Sequence, residues 1–167
     1  MTITVHLDHF FLHARSYDHP DSSLLVRALF DDQVERYGYA DPFEADAAYY
    51  APPDGLFLVG YHDEVPVTCG GYRPFSGRLG IVEIKKMYTV PHLRGLGLGE
   101  RIITALERQA MLDGVQRSIL ETGVRNTAAL ALYARMGYQP TERYMDNRDP
   151  AINRAFIKDL TRCPATP

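Results

Sequence analysis

The chain has 167 residues, of which 46% are apolar and 23% charged, and a net charge of -3. It can bury one good core and is too short for two ordinary domains, so residues 1–160 read as a single domain followed by a disordered tail over 161–167. Lys and Arg are spread rather than massed, which excludes a nucleic-acid partner, and the absence of any run near ~20 apolar residues excludes a membrane partner.

The start MTITVHLDHFFLHARSYDHP has neither a basic lead nor an apolar run of signal length, which points to the cytoplasm. Cys69 and Cys163 suit reduced thiols, and no Cys or His sits at ligand spacing, so no metal is expected.

In chain order, Phe10 to Arg15 reads as a strand. Leu24, Leu25, Ala28, Leu29 and Val34 have helical spacing that ends near Gly38. A short helix is expected over Phe43 to Tyr50, then a strand over Leu56 to His62, a tight turn at DEVP, and a paired strand VTCGGYRPF. Ile81 to Val90 is the next strand. These strands are joined by short turns and should be antiparallel.

From Leu98 the pattern changes. Leu98, Ile102, Leu106 and Ala110 recur every fourth residue, with charges on the other face, and Asp113-Gly114 closes this amphipathic helix. A strand over Arg117 to Thr122 follows, then a helix from Thr127 to Met136, and late strands near Tyr138 to Tyr144 and Asn153 to Leu160. The strands flanking the long helix are therefore parallel. The fold class is α/β: a mixed, mostly antiparallel sheet with one parallel pair and helices on both faces.

The turn into the long helix reads VPHLRGLGLGE, with Gly95, Gly97 and Gly99 alternating with leucines. Glycines admit close backbone approach, and the first amides of a helix have no internal partners, so the place favours an anion. A P-loop needs Lys then Ser or Thr where Glu100 and Arg101 stand. A dinucleotide fingerprint needs a Gly where Glu100 stands. A helix-entry turn with tolerated glycines is the plain alternative.

Arg94, Gly97 and Gly99 match the pyrophosphate loop of the GNAT acetyltransferases, and the chain resembles that family from about Leu56 to Tyr138, through EIKKMYTV before the loop and LETGVRNTAALALYARMGY after it. The N-terminal third resembles it only loosely. The resemblance implies the GNAT fold, in which the strand before the loop bulges and splays from its parallel neighbour. It also implies that acetyl-coenzyme A binds along Tyr88, Thr89 and Val90, on the loop Arg94, Gly95, Leu96, Gly97, Gly99 and Glu100, and against Asn126 and Ala129. Alternation breaks at Lys85-Lys86, which is compatible with a bulge there.

The implied reaction is acetyl transfer to a primary amine, whether small molecule, amino acid or protein amine, by direct attack in a ternary complex. A non-catalytic acyl-CoA-binding or sensing module is the rival reading, and a nucleotide-binding module is a third. An alkylammonium is only about 0.04% neutral at pH 7, so a base is needed, and an acid helps the thiolate leave. In the histone acetyltransferase branch of the family, a Glu eleven residues before the fingerprint is the base, and here 94 minus 83 is eleven. Glu83 is thus the candidate base. The plain alternative is pairing with Lys85 or with a residue across the strand.

Asn126, Ala129 and Tyr133 share one helical face at i, i+3 and i+7. They match the family's Asn and Tyr, which makes Tyr133 the candidate acid. A core tyrosine beside a capping Asn is the alternative. Glu121 and Thr122 close a strand with no chemistry assigned. Tyr37, Tyr39, Tyr61 and Tyr72 lie in segments that could line an acceptor pocket, and a homodimer is compatible with the sequence.

Overall fold

A computed structural model describes residues 7–42 and 45–161. The expected helix start at Phe43 and all but the first residue of the expected tail lie outside the described residues.

The chain opens with strand β1 (Phe10–Ala14) and helix α1 (Pro20–Tyr37). The helix begins before the expected apolar run because Pro20 holds its first turn, where a missing N–H costs nothing, and the His19 side chain accepts from the Asp21 amide. It stops at Gly38, which takes the left-handed conformation (φ 78°) and returns its N–H to Val34. A 3₁₀ turn over Ala47–Tyr50 leads to β2 (Leu56–His62) and β3 (Val65–Pro74). Asp63 and Glu64 both have positive φ, so the hairpin is tighter than expected and pairing resumes at Val65.

Then come β4 (Ile81–Thr89), α2 (Leu98–Leu112), β5 (Arg117–Gly123), α3 (Thr127–Arg135), β6 (Gln139–Thr141) and β7 (Asn153–Asp159). The sheet order is β1-β2-β3-β4-β5-β7-β6, and only β4 and β5 are parallel. Strand β6 is shorter than expected. The amide of Tyr144, where the expected strand ends, and that of the next residue, Met145, bond instead to the Glu121 carboxylate at 2.9 and 3.1 Å.

Alternation along β2 divides the core. Leu56 and Leu58 pack with Ile102, Ile103 and Leu106 of α2 and with Tyr133 of α3. Phe57, Val59 and Tyr61 pack with Leu25 and Val26 of α1. Helices thus cover both faces of the sheet.

Two irregularities interrupt the regular ladder around β4. Cys69 pairs with Tyr88 but Gly71 pairs with Lys85, so Lys86 and Met87 together oppose Gly70 in a bulge, with Lys86 at φ 59°. Gly70 has no room for a side chain there, since a Cβ would lie 2.3 Å from Met87 Sδ. The second irregularity is a splay: β4–β5 pairing ends at Glu83 and Ile119, while β4 runs on to Thr89 and β5 to Gly123.

Candidate functional site

The splay opens a cavity of about 470 Å³, walled by β4, the glycine loop, the ends of β5 and α1, and one face of α3. Eleven of the thirteen expected site residues line it: Glu83, Tyr88, Thr89, Arg94, Gly95, Gly97, Gly99, Glu100, Asn126, Ala129 and Tyr133. Val90 and Leu96 are not among its lining residues. The Val90 amide bonds to Val67 O at 2.9 Å, which extends the pairing with β3, and Leu96 points partly to solvent.

The glycines do different jobs. Gly95 and Gly97 have φ of 82° and 80°, a region that L side chains rarely adopt, and nothing lies within 4 Å of a Cβ at Gly95. Gly97 is the N-cap of α2 and supplies no side-chain cap, so the first amides of the helix have no capping group where Gly97, Leu98 and Gly99 border the cavity. Gly99 lies within α2 and is a packing residue, since a Cβ there would be 2.9 Å from Leu132 Cδ2. Arg94 braces the loop: its Nε donates to Thr89 O at 2.9 Å, a terminal nitrogen reaches Asp32 of α1 at 3.0 Å, and the guanidinium lies 5.5 Å from the Tyr88 ring. Asp32 also holds Arg36 one turn along α1 at 3.0 Å, so it is the Arg94–Asp32 pair that ties α1 to the loop.

Glu83 is buried at 3% exposure and heavily engaged. Its Oε2 accepts from Arg73 Nε at 2.9 Å and lies 2.8 Å from a terminal nitrogen of the same guanidinium. Oε1 accepts from the Tyr144 hydroxyl at 3.0 Å and lies 3.6 Å from Lys85 Nζ. Both pairings weighed from sequence are therefore present. A carboxylate offers about four lone-pair sites, and of the two contacts to Oε1 the one to Lys85 Nζ, at 3.6 Å, is an ion pair beyond hydrogen-bond distance.

On α3, the Asn126 side chain caps the helix by accepting from the Ala129 amide at 3.2 Å. Tyr133 lies one turn further, buried, with its ring 5.7 Å edge-on to Tyr138. Burial alone pushes its phenol upward, so it stays protonated and is a donor throughout the working pH range.

Of the four tyrosines expected near an acceptor pocket, Tyr37 and Tyr39 line the cavity. Tyr61 and Tyr72 do not: Tyr61 bonds to Arg15 and Asp21, and Tyr72 donates to Asp113 at 3.1 Å, both within the core. The cysteine in the described residues, Cys69, is fully buried, its thiol donates to Lys86 O at 3.3 Å, and burial pushes it well up, so it is no acetyl carrier.

Asp32, Asn153 and Arg148 carry no local motif. They reach the cavity through α1, β7 and the β6–β7 connection. Glu121 carried a signal, a carboxylate at a strand end opposite the loop, which sequence reasoning left without a role.

Residues 26–138, more than half of the chain, match the acetyltransferase (GNAT) family. The "IAA acetyltransferase" of Azospirillum brasilense is 32% identical over 64% of this chain and 72% of its own length. The uncharacterised N-acetyltransferase YjgM of Escherichia coli K12 is 36% identical over 62% of this chain, a stretch covering 63% of that relative. In fold, the PaiA N-acetyltransferase of Thermoplasma acidophilum, solved with coenzyme A, superposes with a TM-score of 0.69 at 13% identity, over 90% of this chain and 98% of that one.

Proposed function

Since the chain belongs to the acetyltransferase (GNAT) family and is an acetyl-CoA-dependent N-acetyltransferase, we propose that it transfers the acetyl group to a primary amine by direct attack within a ternary complex. One observation carries this reading: the splay, the uncapped start of α2, the buried carboxylate of Glu83 and the buried phenol of Tyr133 open into one cavity.

The residues fit the coenzyme. The bare turn at Gly95 and Gly97 and the free amides at the start of α2 would hold the pyrophosphate. The backbone of Tyr88 and Thr89, and the small Ala129 beside Asn126, would border the pantetheine arm. Bound there, acetyl-CoA supplies an activated acyl group with a thiolate leaving group.

Glu83, which lines the cavity, takes the proton of the acceptor amine, directly or through a water, as the neutral amine forms. Tyr133, held protonated by burial, gives its proton to the departing sulfur. No thiol step is needed, which agrees with the inert setting of Cys69.

The test is thiol release from acetyl-CoA over a broad amine panel, with mass spectrometry of the product. A product heavier than the amine by one acetyl group supports the reading. Tight coenzyme binding with no turnover of any amine would make the chain an acyl-CoA-binding module instead.

A further inference from the structure

Three buried polar atoms have no hydrogen-bond partner among the described residues: the Tyr37 hydroxyl oxygen, Glu121 Oε2 and Asn153 Nδ2. All three residues line the cavity. Register shows that they also share one patch. Gly123 pairs with Asn153 across the β5–β7 ladder, and Glu121 stands two residues before Gly123 and so on the same face. Glu121 and Asn153 are therefore diagonal neighbours, roughly 7 Å apart. The Tyr37 hydroxyl, from the last turn of α1, hangs over bare Gly123, where a Cβ would lie 2.2 Å from its oxygen.

The patch is built rather than loose. Glu121 Oε1 accepts from the amides of Tyr144 and Met145, which fixes the carboxylate with Oε2 turned away from them. Asn153 is 4% exposed. A buried polar atom left unpaired works against folding, and three together on the wall of a cavity call for a common partner.

The chemistry of the three atoms defines that partner. Oε2 can only accept, an amide nitrogen can only donate, and the phenol can do either. The complement is a molecule with an N–H group and, a short distance away, an oxygen acceptor. An alkylamine would satisfy Glu121 and leave Asn153 unpaired. A carboxylic acid with no amine would set like charge against Glu121.

Resting on the acetyltransferase reading, we propose that Glu121, Asn153 and Tyr37 form the acceptor's receptor and that the acceptor is an α-amino carbonyl compound. Glu121 Oε2 takes the amine, and Asn153 Nδ2 with the Tyr37 hydroxyl takes the oxygen on the neighbouring carbon. Position supports the match with the chemistry. Ile119, two residues before Glu121 on β5, pairs with Glu83 across the mouth of the splay, so an amine held by Glu121 sits on the Glu83 side. Tyr144 ties the two carboxylates together, its amide on Glu121 and its hydroxyl on Glu83.

Three conservative variants test this. Glu121→Gln keeps an oxygen for the two amides and replaces Oε2 by a donor. Asn153→Asp replaces the donor by an oxygen at equal size, and Tyr37→Phe removes only the hydroxyl. Each is assayed with acetyl-CoA and matched triplets: an L-amino acid, its amide, and the amine left when the carboxyl is removed. In the wild type the stripped amine should be used about 10- to 100-fold less efficiently than the better of its two partners. Asn153→Asp should close most of that gap. Glu121→Gln should raise the acceptor KM by about tenfold or more while acetyl-CoA affinity and kcat stay within about twofold.

Equal use of the stripped amine, or an unchanged acceptor KM in Glu121→Gln, overturns the proposal. So does a fall in kcat at unchanged KM, which would make Glu121 the proton acceptor rather than the anchor. Either order between acid and amide supports it, and the order tells a free amino acid from a chain terminus. Calorimetry of the same amines on the coenzyme A complex separates the two readings. Binding without turnover keeps the receptor and sinks the transferase, whereas turnover with no preference among the triplets does the reverse.

Discussion

Arg73 and Glu83 face each other across the β3–β4 ladder, and two nitrogens of the guanidinium converge on the one oxygen Oε2. Glu83 is thus both a wall of the cavity and a candidate base, and the two roles respond differently to Glu83→Gln. The amide keeps an acceptor for Arg73 but loses the charge, so melting temperature should fall, by roughly 1 to 3 kcal/mol of stability for a charged buried bond weakened. If the carboxylate takes the amine proton, kcat should also drop roughly 10² to 10⁴-fold, with acetyl-CoA affinity unchanged and the acidic limb of the pH profile flattened. Arg73→Gln is the control, since it loosens the same pair without removing the carboxylate. Wild-type turnover by the folded Glu83→Gln protein would assign the proton to water or another residue.

What the sequence made legible were the features carried by local pattern. The glycines of the loop, the break in alternation at Lys85-Lys86 and the one-face spacing of Asn126, Ala129 and Tyr133 each rest on neighbours within a turn or a strand, and each reappears at the cavity. Long-range partners were not legible. Nothing near Glu83 in sequence announces Arg73 or Tyr144, because that contact depends on a register passing through a bulge and on a connection 61 residues away. The acceptor side was hidden for the same reason: Tyr37 and Asn153 meet only through the α1 cover and the β5–β7 pairing. The glycine loop was legible as a place but not as a division of labour, since positive φ at Gly97 and packing at Gly99 look alike in a string of letters.

That division changes what a loop substitution reports. Valine at Gly97 would carry a backbone penalty of roughly 1 to 2 kcal/mol for its left-handed φ as well as any clash with bound phosphate. Gly97→Asn separates these effects, because Asn visits that conformation readily and still projects a side chain into the anion site. Coenzyme affinity by calorimetry should fall at least about tenfold in both variants, while melting temperature falls mainly in Gly97→Val. Unchanged affinity in Gly97→Asn would rule out the loop as the phosphate site.

Lys86, at the bulge, gives the fold a pH signature. Burial pushes its ammonium down from 10.5 to about 8, partly opposed by Asp41 and reinforced by Lys85, Arg73 and Arg148. Between pH 8 and 10.5 the unfolded chain holds a proton that the folded protein has shed, so this group makes stability rise with pH across that window. Below pH 8 the folded protein bears the full cost of the buried charge. Lys86→Gln should therefore be more stable than wild type at pH 7, by roughly 1 to 2 kcal/mol after allowing for residual solvation, and the difference should shrink between pH 8 and 10.5. Melting curves of both proteins from pH 7 to 10.5 check it, and a difference independent of pH would mean the shift is not the cause.

Tyr133→Phe deletes one oxygen and leaves the ring packed beside Tyr138, so it separates a catalytic phenol from a core tyrosine better than alanine would. Burial is the sole cause of its upward shift, with no carboxylate or guanidinium contributing. The hydroxyl is thus a neutral donor whose protonation does not depend on a charged neighbour. If it gives its proton to the departing sulfur, the loss should fall on kcat, with KM for acetyl-CoA preserved. A thiol near pKa ~8.5 leaves tolerably as its anion, so the loss should lie toward the lower end of the ~10² to 10⁴-fold range for acid–base groups. It should also shrink when the leaving thiol is made more acidic, a trend that packing cannot produce. A core role predicts the opposite pattern: a lower melting temperature from a hydroxyl that lost a partner, with normal turnover of the folded fraction. Measuring kcat and melting temperature on one preparation distinguishes the two, and a destabilised but fully active Tyr133→Phe protein would remove Tyr133 from the chemistry.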